Sequence, residues 1–168
     1  MLELREQTKE ILAGKRPTKK AFRHQIAFNL FSHDSKVRED GFTEEEFKII
    51  QETKKIFREP ALKVIPTTIR VPVLRAHSES LVVEFERPIS EDEARQIFKK
   101  APGIELVDER EKNYFPMPIE ASGQDKVLVG RIRKDPTSAN GLAFFVSGDQ
   151  LRKGAALNAV QIAEILFA

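Results

Sequence analysis

The chain has 168 residues, 40% of them hydrophobic and 32% charged, enough to bury a core within one domain. Twenty-eight Lys and Arg against 26 Asp and Glu leave a net charge of +2, too even a balance for a dedicated nucleic-acid binder. There are no cysteines, which excludes disulfides, thiolate metal sites and a cysteine nucleophile. The basic stretch at residues 14–24 reads as a solvated loop rather than a nucleic-acid site. No apolar run reaches the length of a membrane span and the charged N-terminus is unlike a signal peptide, so a cytoplasmic location is expected.

Residues 2–12 predict a helix that ends at Gly14 and Pro17. In residues 24–33, Ile26, Phe28 and Leu30 alternate with Gln25, Ala27 and Asn29, which predicts a strand. A turn at Asp40-Gly41 precedes Thr43 and Glu46, spaced as a capping box for a helix running to about Phe57 and burying Phe47, Ile50 and Phe57. Residues 62–74 are β-rich but broken by Pro66 and Pro72, so they belong on an edge or a bend. A strand at 80–86 places Leu81, Val83 and Phe85 on one face. Ser90 and Glu93 form a second capping box, and the helix after it carries Ala94, Ile97, Phe98 and Ala101 on one stripe up to Pro102-Gly103.

Residues 104–109 follow as a strand, and this strand–helix–strand order implies a crossover onto a sheet. Strands at 126–133 and 142–147 flank a turn-rich connection, as in an antiparallel hairpin. A last helix beginning near Asp149 aligns Leu151, Ala155, Ile162 and Leu166, with Ala156, Val160, Ala163 and Phe167 beside them. With no repeat, linker or low-complexity segment, residues 1–168 read as a single α+β domain on a mixed, largely antiparallel sheet covered by helices.

Arg70 precedes His77 by seven positions, and a bend at Pro72 would let both side chains face one cleft. An arginine fork matches a carboxylate, and an imidazole moves protons near neutral pH. On spacing alone, an arginine paired to a local glutamate and a merely exposed histidine are the preferred reading. Glu45, Lys48 and Glu52 share one helix face, as a solvated ion-pair ladder or as a charged rim that grips an ammonium and an anion. Gln150 stands at the start of the last helix, where Asp149 is also placed to cap. His24, His33 and His77 lack metal-ligand spacing, so no metal is expected, and no phosphate-cradling glycine motif is present.

"ELREQTKEILAGK", "HQIAFNLFSH", "GFTEEEFKIIQETKKIF", "IRVPVLRAHSES" and "GDQLRKGAALNAVQIAEIL" occur in this order, and together they resemble the C-terminal half of the aspartate-semialdehyde dehydrogenase family. The resemblance implies a catalytic and dimerisation domain like that of glyceraldehyde-3-phosphate dehydrogenase. The family's activity is NADPH-dependent reductive dephosphorylation of 4-aspartyl phosphate to L-aspartate 4-semialdehyde, on the route to lysine, methionine and threonine. By the same resemblance His77 is the general acid/base and Arg70 clamps the substrate carboxylate. Glu45 binds the substrate amino group, Lys48 holds inorganic phosphate and Gln150 touches the NADP nicotinamide.

The sequence departs from the family in having neither the thioester-forming cysteine nor the glycine-rich cofactor loop, and Met1 precedes a segment that lies mid-chain in the family. The expectation is a fragment of a two-domain enzyme that dimerises through its sheet and is inactive alone, with the cofactor domain supplied in cis or in trans. The alternative is a non-catalytic self-association module derived from this domain. The last helix, whose family counterpart packs on the cofactor domain, is expected to be disordered near its end or buried in an intermolecular contact.

Overall fold

The computed structural model describes residues 1–167 and divides into two units, Met1–Pro72 and Val73–Ala168. The first unit opens with helix α1 (Leu2–Leu12), whose buried face carries Leu4 and Gln7. Gly14, at φ 70°, turns the chain out of the helix. Leu4 joins Ile26 and Ala27 in a small core, with Ile11, Phe22 and Phe31 packed around it.

The strand predicted over 24–33 is reduced to β1 (Phe31–Ser32), which pairs antiparallel with β2 (Ile69–Arg70). The reason lies in Gln7, a fully buried side chain whose Oε1 accepts from the amides of Ile26 (2.9 Å) and Ala27 (3.2 Å). A side chain from α1 thus satisfies backbone donors that a ladder would otherwise need. Phe28 then takes φ 57° and stands exposed, so the apparent alternation there is not a buried strand face.

Helix α2 (Glu44–Phe57) begins with the capping box the sequence predicts. The Thr43 hydroxyl accepts from the Glu46 amide, and the Glu46 carboxylate accepts from the Thr43 amide. The other Glu46 oxygen accepts from Thr68 N at 2.8 Å, so the cap also fastens the approach to β2. Phe47 and Ile50 are half-buried, but Phe57 is exposed because the helix ends there in a left-handed Arg58. Residues 62–74 supply only β2, as the two prolines imply.

The second unit is a four-stranded sheet in the order β3-β6-β5-β4, formed by β3 (His77–Glu84), β4 (Ile104–Leu106), β5 (Val127–Lys134) and β6 (Gly141–Gly148). Only the β4–β5 pair is parallel, so the sheet is mixed and mostly antiparallel, as expected. β3 starts three residues before the predicted position and includes His77. Helix α3 (Glu91–Lys100) crosses between β3 and β4 and covers one sheet face, packing Ala94 and Phe98 against Ile132, Leu142 and Phe144. Ile97 remains exposed, and of the second capping box only the Ser90 half is formed, with its hydroxyl accepting from the Glu93 amide. Leu128, Val107, Ala76 and Ala121 form a separate cluster, the last of these from the short helix α4 (Pro118–Ala121).

The predicted last helix begins with a π-helical turn over Arg152–Ala156 and continues as α5 (Leu157–Phe167). Of the two predicted alternatives, a disordered end is not what the chain shows. α5 is formed through Phe167, while Val160, Ile162, Ile165, Leu166 and Phe167 lie exposed. Its start is fixed locally: the buried Asp149 carboxylate accepts from the amides of Leu151 (2.9 Å) and Arg152 (3.1 Å).

The Asp149 carboxylate also accepts from Gly123 N at 2.6 Å and pairs with the Arg75 guanidinium at 2.7 Å. Burial pushes its pKa up, but the Gly123, Arg152 and Leu151 amides and Arg75 outweigh it and hold the group at about 2, below its ordinary 3.8. Above 3.8 its stabilisation is complete; between 3.8 and about 2 the unfolded chain binds more protons, and the stabilisation is lost as pH falls. Asp149→Asn should lower stability by about 3 kcal/mol at neutral pH, because Arg75 loses its buried partner. Thermal melts of the variant should also show a flatter acid dependence across that window; an unchanged midpoint would remove Asp149 from this role. Thr43→Ala should cost about 1 kcal/mol, read as a lower midpoint in denaturant.

Candidate functional site

Three of the five candidate residues lie in the first unit. Glu45 and Lys48 project from the first turns of α2 with Oε1 and Nζ 3.9 Å apart, a solvated ion pair. The Glu45 backbone amide donates to Ser35 Oγ at 3.3 Å, which anchors this end of α2 to the segment after β1. Arg70, on β2, brings its Nη2 within 2.9 Å of His33 Nε2 and its Nε within 3.4 Å of Asp34 Oδ1. The Asp34 contact is an ion pair without hydrogen-bond alignment, since Arg70 Nε has no hydrogen-bond partner. Its partner is therefore an aspartate from the neighbouring strand end, not a nearby glutamate. The Phe22 ring lies 5.7 Å from the guanidinium carbon.

The other two candidates lie in the second unit, His77 on β3 and Gln150 just past the end of β6. His77 opens β3 opposite Gly148, the last residue of β6. Its carbonyl accepts from Ser147 Oγ at 3.1 Å, and its ring is exposed. One residue upstream, Ala76 is buried at φ 75°, a conformation that favours glycine and strains an alanine by about 1 kcal/mol. The Ala76 amide donates to Gln150 Oε1 at 2.8 Å. Gln150 therefore braces the turn that delivers His77, which its place at a helix start did not reveal.

Five groups that matter here were not among the candidates: His33, Asp34, Ser35, Arg75 and Asp149. His33 was weighed only as a metal ligand, and its real partner is 37 residues away across the β1–β2 pair. No local spacing encodes that contact. Arg75 and Asp149 are likewise joined only by the β3–β6 register.

Chemically, the first unit offers a half-exposed guanidinium, an ammonium and a carboxylate, a set suited to an amino acid and an oxyanion. The second offers an exposed imidazole on a braced backbone, suited to proton transfer. The recess lined by Asp92, Arg95 and Asp108–Lys112 contains none of these residues; the structural Arg95–Asp108 ion pair occupies its wall. Among the described residues no helix is long and apolar enough to cross a membrane.

Residues 1–153 match the family described as semialdehyde dehydrogenase, dimerisation domain. An aspartate-semialdehyde dehydrogenase of Synechocystis is 51% identical over 99% of this chain and 49% of its own length, and one of Aquifex aeolicus is 49% identical over 98% and 48%. A crystal structure of aspartate semialdehyde dehydrogenase II complexed with ASA from Vibrio cholerae superposes with a TM-score of 0.92 at 41% identity, over 98% of this chain and 48% of that one. Another from Candida albicans, with NADP, gives 0.68 at 26% identity over 84% and 45%. The chain spans about half the length of the curated relatives it matches. It belongs to the semialdehyde dehydrogenase family, and its likeness is to the C-terminal half of aspartate-semialdehyde dehydrogenases.

Proposed function

We propose that this chain is the catalytic and dimerisation part of an aspartate-semialdehyde dehydrogenase, its two units acting as one domain. The reaction is reductive dephosphorylation of 4-aspartyl phosphate to L-aspartate 4-semialdehyde, in the cytoplasm, toward lysine, methionine and threonine. His77 holds and moves the proton. Arg70 binds the substrate carboxylate, Glu45 its amino group, and Lys48 inorganic phosphate. The observation that carries this reading is the pairing of strong family likeness with a set of charges complementary to an amino acid and phosphate.

NADP supplies the hydride when bound. Gln150 fits a contact to its carboxamide, since Oε1 is engaged by the Ala76 amide and the two Nε2 hydrogens have no protein acceptor among the described residues. The chain has no residue able to form the thioester, because it contains no cysteine. The purified chain should therefore show no dehydrogenase turnover, and activity from it alone would sink the assignment of its roles.

Joined in cis or in trans to a cysteine-bearing cofactor half, it should turn over. There, His77→Gln should reduce kcat by about 10²–10⁴-fold. A loss smaller than tenfold would deny His77 the proton-transfer role. Calorimetric titration of the chain with inorganic phosphate should give weaker binding for Lys48→Ala than for the parent; identical isotherms would remove Lys48 from the phosphate site.

A second reading, self-association without chemistry, is favoured by the exposed Val82 on the edge strand β3, by the open apolar side of α5, and by the dimerisation-domain family match. Sedimentation of the chain should show a dimer, and a strict monomer at high concentration would end the proposal of association through the sheet.

A further inference from the structure

We infer that His33, helped by Asp34, is a positioning residue for Arg70, fixing which edge of the guanidinium is presented to a carboxylate. This rests on the reading of Arg70 as the carboxylate clamp. The three residues are assembled by the short β1–β2 ladder. Phe31 pairs with Arg70, Ser32 with Ile69, and the His33 amide extends the pairing by donating to Thr68 O at 2.9 Å. His33 and Asp34 thus leave the end of one strand beside the arginine of the other.

A guanidinium carries five N–H donors and no acceptor. Arg70 gives one Nη2 hydrogen to His33 Nε2 at 2.9 Å, and its Nε edge faces Asp34 at 3.4 Å. The Nε hydrogen has no aligned acceptor but is covered by the Asp34 carboxylate, and the donors left open are the second Nη2 hydrogen and both on Nη1. They lie at the end of the fork, the edge a carboxylate takes with two parallel hydrogen bonds. On the side-on approach through Nε a ligand carboxylate would meet the like charge of Asp34, which favours end-on capture through Nη1 and Nη2.

The contact also dictates the imidazole's form. Arginine cannot give up its proton, so His33 Nε2 must be the bare, accepting nitrogen. The ring proton then sits on Nδ1 and is donated to Ser35 Oγ at 3.1 Å, and that same oxygen accepts from the Glu45 amide at 3.3 Å. The Ser35 amide also lies 3.2 Å from Nδ1, an arrangement that would need Nδ1 bare. A neutral ring cannot accept at both nitrogens, and the shorter contact with a cationic donor decides for Nε2. A chain of contacts then runs from Arg70 through His33 and Ser35 to the backbone of Glu45, linking two of the proposed substrate-binding groups.

The test uses the 168-residue chain, whose three histidines give a simple spectrum. Two-bond proton–nitrogen correlation at mildly alkaline pH, with neutral imidazoles, reports the tautomer of each ring. His33, assigned by through-bond correlation of its ring to its own backbone in the parent chain, should be the Nδ1–H tautomer there and shift toward Nε2–H in Arg70→Met. An Nε2–H ring in the parent, or a tautomer indifferent to Arg70→Met, overturns the inference, and the first measurement needs no variant to fold.

In the enzyme assembled with a cysteine-bearing half, His33→Phe should raise KM for aspartate semialdehyde by about tenfold with kcat changed less than about twofold. In an Arg70→Met background it should add nothing. A His33→Phe effect that persists undiminished without Arg70 also overturns the inference. If the tautomer result holds while Arg70→Met leaves KM unchanged, the carboxylate clamp fails and the His33–Arg70 coupling stands.

Discussion

The buried Asp149 carboxylate is the interaction on which the second unit's arrangement turns. At the end of β6 it accepts hydrogen bonds from three backbone amides, those of Gly123, Leu151 and Arg152, and forms an ion pair with Arg75. The partners come from three stretches of chain, so one side chain sets the end of β6, the loop after α4, the approach to β3 and the first turn of the last helix. A buried carboxylate is tolerable only when every lone pair is satisfied, and here the satisfaction is also the architecture. His77 and Gln150 inherit their positions from it. Gln150 is the next residue in the chain, and His77 is two residues from Arg75.

The strain at Ala76 gains meaning in that setting. An alanine at φ 75° persists only where neighbours over-determine it. Here they are Arg75, tied to Asp149 on one side, and the Ala76 amide, tied to Gln150 on the other. The free energy stored in one unfavourable dihedral is small beside the two restraints. The outcome is an exposed imidazole on a backbone that has little freedom to move, the condition general acid–base chemistry needs.

How much of this was legible in the sequence depended on the range of the interaction concerned. The Thr43–Glu46 box, the α3 stripe of Ala94 and Phe98, and the β5–β6 hairpin are written in neighbouring residues, and each is found where the pattern places it. The stretch at 24–33 was misread because its alternation is real but its amides at Ile26 and Ala27 are claimed by Gln7 from another element. Phe57 was misread because a 3.6-residue period cannot show where a helix runs past its core. In the site, Arg70 and His77 were visible as residue types, whereas His33 and Asp34 were not. Nothing near residue 33 announces an arginine at 70; only the β1–β2 register does.

The two units solve one problem by different means. A functional charge must be held still without being neutralised. Arg70 is flanked by an aspartate and an imidazole, yet it stays 37% exposed and keeps one edge of its fork for a ligand. A second carboxylate in place of His33 would bind more tightly but would cancel the charge with which the proposed clamp meets a carboxylate. A neutral ring nitrogen orients the fork and leaves its charge intact. His77 is treated in the opposite way: its ring makes no hydrogen bond among the described residues, and the restraint falls on the backbone on either side of it. Orientation through the side chain suits a permanent cation, and orientation through the backbone suits a group proposed to exchange a proton. The residue types at the two positions follow from that difference.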